Sequence, residues 1–214
     1  MRKYTVLFVL AGIFGFSTTY AQYGYGMRPH RHPSNRYPVY NLPPFKPTVL
    51  LSFGYGLPNL DKDQMLLFSD HYQGKVQQTG PIFGSIDYQF NRTTSIGAAV
   101  SYGKVSSPYY DYNGNPDPDL YGKLEDWSIM LDMVRYMPLS KTVSPYLKTS
   151  VGVSMWNENY TDSYGNKVVF GDNPGMFAYQ ISVGARFDVA SQTGLFIEAG
   201  YGKYILAGGL SFKL

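Results

Sequence analysis

The sequence predicts an all-β protein, an eight-stranded antiparallel up-and-down transmembrane β-barrel with three long extracellular loops and short periplasmic turns. Three observations carry this reading. Eight segments between Thr48 and Leu214 set an apolar face against a face of Gly, Ala, Ser and scattered charges, the pattern of a strand with lipid outside and a narrow polar lumen inside. Most of these segments run 9 to 13 residues, against the roughly 9–11 that a tilted strand needs to cross the hydrocarbon. The connections alternate between short and long, as a barrel with both ends on one side requires.

The chain opens with a segment that reads as a secretory signal peptide, residues 1–21. Arg2 and Lys3 give a positive start, Thr5 to Phe16 an apolar core, and Thr19-Tyr20-Ala21 a small-x-small cleavage site. The apolar stretch falls short of the roughly twenty residues of a spanning anchor. Cleavage after Ala21 leaves one domain's length of chain. Residues 22–46 are rich in Pro, Tyr and Arg without periodicity and read as a partly extended periplasmic tail. The barrel domain spans 47–214.

Its first strand, Thr48 to Gly56, points Val49, Leu51, Phe53 and Tyr55 outward and Ser52 and Gly54 inward. The second, Pro81 to Phe90, sends Ile82, Ile86, Tyr88 and Phe90 out and Ser85, Asp87 and Gln89 in. The third, Thr94 to Lys104, alternates Ile96, Ala98, Val100 and Tyr102 with Gly97, Ala99, Ser101 and Gly103. The fourth, Leu124 to Met137, places Trp127, Ile129, Leu131 and Met133 outside and Ser128, Met130 and Asp132 inside. Its pattern blurs at Val134-Arg135-Tyr136, where a bulge is expected. The fifth, Ser144 to Trp156, sets Leu147, Val151, Val153 and Met155 against Lys148, Ser150, Gly152 and Ser154. The sixth, Phe177 to Val189, sets Tyr179, Ile181, Val183, Ala185, Phe187 and Val189 against Gln180, Ser182, Gly184, Arg186 and Asp188. The seventh, Thr193 to Lys203, sets Leu195, Ile197, Ala199 and Tyr201 against Glu198, Gly200 and Gly202. The eighth sets Leu206, Gly208, Leu210, Phe212 and Leu214 against Ala207, Gly209, Ser211 and Lys213.

Short turns fall at 91–93, 138–143 and 190–192, and long connections at 57–80, 105–123 and 157–176. The link near Tyr204-Ile205 breaks the rule by being short. A soluble lipocalin-type barrel is the rival, with its apolar face turned inward around a ligand. That fold gives no reason for so many small residues on a solvent-facing side, whereas a narrow lumen does.

Composition removes several classes. The chain has no cysteine, so it offers no lipid-modified Cys, disulfide or thiolate metal site. The signal segment holds two of the 18 Lys and Arg and none of the 15 Asp and Glu, so the mature net charge is only +1. No basic run interleaves with aromatics, so nucleic acid is not an expected partner. The mean hydropathy of −0.22 does not argue for solubility, because lumen-facing residues cancel the average of a barrel. The 23 Gly and 21 Tyr suit a tight lumen and aromatic interfacial belts.

On this pattern, and on the terminal GGLSFKL, residues 47–214 resemble the small outer-membrane barrels of Gram-negative bacteria, the OmpA/OmpX-like family. The resemblance implies residence in the outer membrane, contact with its lipid, and recognition of the last strand by the barrel-assembly machinery. Leu210, Phe212 and Leu214 are the residues of that implied assembly signal. The family's last strand commonly ends in an aromatic, whereas here Phe212 lies two residues from the end. No peptidoglycan-binding domain follows, so a wall-anchoring role is not implied.

Lumen-parity charges are the first functional candidates: Asp87, Asp132, Asp188 and Glu198 are acidic, and Lys148, Arg186 and Lys213 basic. The short turns bring Arg186 opposite Glu198, within about two residues, and Asp132 close to Lys148. Buried charges must pair, and eight strands leave an interior that side chains can fill, which favours a structural plug; a charge-lined conduction path is the alternative. The loop Asp111 to Asp119 carries alternating oxygen ligands, but its Gly sits at position four and no Glu at position twelve, unlike a calcium loop. Such residues are also ordinary turn formers. Ser69-Asp70-His71 holds the residue types of a nucleophilic triad, yet adjacency adds little because triads assemble through tertiary structure. His30 and His32 in the tail are too few for a metal site.

Trp127, Tyr88, Phe90 and Tyr136 read as interfacial belts, and Trp156, on lumen parity, as a belt residue or a cap on the barrel mouth. The apolar run Met65-Leu66-Leu67-Phe68 must pack on the rim or meet a partner. Tyr109, Tyr110, Tyr112, Tyr160 and Tyr164 offer loop surface for protein or glycan contact. The sequence therefore points to a non-enzymatic barrel without cofactor, acting through loops and tail in envelope structure, adhesion or a larger complex. A small-solute channel is the alternative, and a membrane-embedded enzyme a third reading.

Overall fold

The computed structural model describes residues 45–112, 116–137, 142–168 and 177–214. The signal segment, nearly all of the tail, Asn113 to Asn115 and most of the 138–143 turn lie outside the described residues.

Among the described residues ten strands form: β1 Thr48–Leu57, β2 His71–Gln73, β3 Gln77–Asn91, β4 Thr94–Asp111, β5 Leu120–Tyr136, β6 Val143–Asp162, β7 Lys167–Val168, β8 Phe177–Asp188, β9 Thr193–Tyr201 and β10 Leu206–Lys213. A 3-10 turn, Leu60–Gln64, follows β1. Eight of the strands are long, and each pairs antiparallel with its chain neighbours in the order β1, β3, β4, β5, β6, β8, β9, β10. The ring closes where Leu50 to Leu57 of β1 pair with Lys213 to Leu206 of β10. Closure leaves no unpaired sheet edge within the bilayer. The short β2 and β7 extend the sheet above β4 and β6.

The predicted parity holds around the ring. Phe53, Ile82, Ile96, Ile129, Val153, Val183 and Ile197 are exposed, while Ser85, Ser101, Ser128, Ser150 and Ser182 are buried. On β5 the outward apolar residues run from Trp127 to Met133 between the outward-pointing Glu125 and Arg135. Nine residues, 126–134, therefore lie between the two charges, which fits a tilted strand's crossing of hydrocarbon. Tyr102, Trp127 and Met155 form one cross-strand row; the next row outward is Lys104, Glu125 and Asn157. This step fixes the outer edge of the lipid-facing band.

Several elements differ from the sequence reading: β2 and β7 form within stretches expected to be loop, and β3 begins in one. The strands β4, β5 and β6 continue well past that edge, into stretches expected to be loop. There the chemistry inverts: the outward Lys104, Lys123, Glu125, Asn157 and Asn159 are polar, and the inward Val105, Tyr109 and Tyr160, with Leu124 at the edge, are buried around Met65. The expected bulge at Val134-Arg135-Tyr136 is absent, since pairing to Thr94 and to Leu147 runs on unbroken. Register shifts occur instead in β3, between Thr79 and Ile82 and between Gln89 and Asn91. The pattern blurred because the lumen accepts apolar side chains there: Val134 and Tyr136 are buried with Leu50 and Tyr146. Tyr136 is thus an interior residue and not part of a lipid-facing belt.

Candidate functional site

The interior is a stack of side-chain layers. At the periplasmic end Asp188 accepts from Lys213 Nζ at 2.7 Å and pairs with Arg186 Nε at 3.0 Å. One layer outward, Lys148 Nζ lies 3.2 Å from Asp132, and Asp87 accepts from Ser85 Oγ at 2.9 Å. Glu198 accepts from Tyr146 at 2.8 Å, from Tyr204 at 2.5 Å and from Ser182. Above it Phe83 stacks on Tyr204 at 5.2 Å and meets Phe196.

Of the seven charged residues singled out from the sequence, Asp87, Asp132, Lys148, Arg186 and Glu198 are buried in the interior, while Asp188 and Lys213 are partly exposed. Asp132 and Lys148 come together. Arg186 and Glu198 do not pair, although their register is within two residues: Arg186 faces Phe196 across the ladder, and Glu198 faces Gly184. Asp188 lies on the same face of the same strand and takes the guanidinium, while two phenols satisfy Glu198. At the terminus Leu210 faces lipid, and Leu214 donates its backbone N–H to Val49 at 2.9 Å. Phe212 pairs with Leu51 and Thr193.

The outer half holds a site that the sequence reading missed. Gly202 has φ +139°, and an added Cβ would sit 2.1 Å from the Tyr179 carbonyl oxygen. This turn ends β9 and drives Lys203 and Tyr204 into the lumen, where both are buried. Lys203 Nζ donates to Asp126 at 2.6 Å, to Asp61 at 3.0 Å and to Ser154 at 2.9 Å, with the Trp156 ring 5.7 Å away. Asp61 comes from the turn Leu60–Gln64, whose cap, Asn59, is itself fully buried. Asn59 receives Asp61 N–H, donates its backbone N–H to Gln78 and donates Nδ2 to Thr79. Burial pushes the Asp61 carboxyl up to about 6, against the pull of Lys203. Continuing strand parity through Lys203 would have turned it outward; the glycine is the local signal that parity breaks.

The apolar run of the first loop closes the mouth. Met65 is buried with Tyr109 and Tyr160, Leu66 and Phe68 pack on them, and Leu67 is 82% exposed. Tyr109 and Tyr160 are therefore consumed by packing and are not contact surface, whereas Tyr112 and Tyr164 are exposed and Tyr110 stacks on Tyr72 at 5.2 Å. Trp156 packs against the same cluster and caps the mouth.

Among the described residues, neither polar constellation in the loops assembles a reactive site. Ser69 Oγ donates to the adjacent Asp70, and His71 meets the Phe68 ring edge-on at 6.1 Å. In the acidic loop Asp119 accepts the Asp111 backbone N–H at 2.7 Å, a turn contact. Among the described residues, no group of three or more His, Asp or Glu is placed to hold a metal ion.

Comparison with known proteins places the chain. No curated protein matches it. Among solved structures it is similar to the attachment invasion locus protein Ail of Yersinia pestis, solved with the heparin analogue sucrose octasulfate, at 10% identity and a TM-score of 0.42, covering 78% of this chain and 97% of that one. It is also similar to the N-terminal β-barrel domain of Pseudomonas aeruginosa OprF, at 17% identity and 0.35, covering 78% and 97%. A de novo designed transmembrane β-barrel is similar at 14% identity and 0.40, covering 78% and 95%. The match that decides membership is to the family described as outer membrane protein beta-barrel domain, over residues 44–213. The chain belongs to this outer membrane protein beta-barrel family and resides in the outer membrane of a Gram-negative bacterium.

Proposed function

We propose that this protein is a closed, non-conducting barrel that works through what it displays on either side of the membrane, in envelope structure, adhesion or as a subunit of a larger complex. The filled interior carries this reading. A cavity of about 30 Å³ lies between Asp87, Lys148, Arg186 and Glu198, room for only a few waters. Ion pairs close the barrel below it, and the Phe83–Tyr204 stack and the Lys203 cluster close it above. The outer rim and the tail 22–46 are then the parts we assign to engaging a partner. Leu210, Phe212 and Leu214 form the segment we assign to the barrel-assembly machinery during biogenesis.

Recording from the purified protein in planar bilayers tests the closed lumen. No steady conductance is expected. Steady single-channel current that changes in Asp132→Asn or Arg186→Gln would overturn the reading in favour of a small-solute channel.

A further inference from the structure

The outer plug is not barrel wall. It is built from two loops that meet over the mouth, the first through Asn59, Asp61 and Met65 and the last through Lys203 and Tyr204. Their junction is one ammonium held by two carboxylates, with Leu60 N–H also donating to the Lys203 carbonyl at 3.1 Å. The charges do not balance: with both acids ionised, the buried cluster carries one negative charge too many. Asp61 Oδ2 and Asp126 Oδ1 are buried without a hydrogen-bond partner.

Among the described residues, no other ionisable group makes up the difference. On β4 the facing position is Gly103, and on β6 it is Ser154 and Trp156; on β5 Ser128 donates to Asp126 at 2.7 Å. In the next layers Glu158 is taken by Tyr160 and Glu198 by Tyr204. A proton is the ligand that neutralises such a cluster at no cost in space.

We propose that Asp61, Asp126 and Lys203 form a proton-responsive latch that holds the first loop in the barrel mouth in mildly acidic surroundings and loosens as the medium approaches neutrality. With a proton on Asp61 the cluster is neutral and Asp61 becomes a donor for Asp126. Without it, the loop is held against an excess buried charge. The group is an acid whose value is raised from 3.8 to about 6 in the latched state. The latched state therefore gains stability as pH falls through about 6, holds it fully below 3.8, and loses it as pH rises. Between pH 5 and pH 8 those two values shift the latching equilibrium about tenfold.

The chain has two tryptophans, and Trp156 sits in the latch while Trp127 faces lipid. Trp127→Phe therefore leaves one native probe, and acrylamide, an uncharged quencher, reads its accessibility in the full chain in lipid vesicles. Quenching of Trp156 is expected to rise from pH 5 to pH 8 with a midpoint near 6, and to stay low at both pH values once Asp61→Asn is added. Should that variant not fold, Asp126→Asn supplies the same neutral cluster and the same expectation. Quenching that is independent of pH in Trp127→Phe, or a rise that survives the neutral substitution, overturns the latch.

Discussion

At the scale of single residues, burial decides which charges matter. Lys148 and Asp132 are both deeply buried and lie 3.2 Å apart, so removing one leaves the other charged, dry and unpaired. Lys148→Met keeps most of the volume and is expected to lower unfolding stability by about 3–5 kcal/mol, measured by urea titration of the vesicle-inserted barrel. Lys123 and Glu125 are closer still, at 2.7 Å, but stand in solvent above the lipid band. Lys123→Ala is expected to leave the same titration unchanged, because water and salt screen such a pair. A larger effect at Lys123 than at Lys148 would mean that the inside and outside of the barrel are wrongly assigned. The Lys148 pairing was legible from strand parity and a short turn. The partner of Arg186 was not, because parity places Asp188 and Glu198 on the same face. Only the cross-strand offset shows that the guanidinium reaches along its own strand instead of across to β9.

At the scale of elements, the lipid face and the upper sheet obey opposite rules. Leu131 is 69% exposed near the middle of the apolar run on β5. Leu131→Arg is expected to cost about 2–4 kcal/mol, the price of a guanidinium near the bilayer midplane. The check is a urea titration of the inserted variant, and a neutral result would place β5 outside the hydrocarbon. Gly202 marks a different constraint. Its positive φ and the nearby Tyr179 carbonyl leave no room for Cβ. Gly202→Ala is expected to destabilise the barrel by at least about 1–3 kcal/mol in the same titration, and to raise acrylamide quenching of Trp156 at pH 5 by displacing Lys203. The eight membrane strands were readable because water and lipid impose one alternation on each. From the row Lys104, Glu125 and Asn157 outward that alternation survives with its sign reversed, apolar side inward against Met65, so the same signal looked like loop. Lys203 was lost for a related reason, since parity cannot follow a chain that turns into the lumen.

At the scale of the whole molecule, stability rests on closure. Every long strand has two neighbours, and the terminal strands β1 and β10 are each other's second neighbour through eight paired residues, Leu50 to Leu57 against Lys213 to Leu206. Deleting residues 206–214 would leave β1 and β9 with open edges at membrane depth, and each unpaired backbone group there costs several kcal/mol. Among the described residues, the ring's first strand begins at Thr48. The longer deletion, 23 residues before the first strand, and the shorter, 9 residues of the last, have opposite expected outcomes. The chain lacking residues 22–44 should insert into lipid vesicles with the strand content and protease protection of the chain that retains them. The chain lacking residues 206–214 should show neither, by circular dichroism and protease digestion of the same vesicles. Protection retained without β10 would show that the ring does not need this seam. Insertion lost without the tail would show that residues before the first strand take part in forming the barrel.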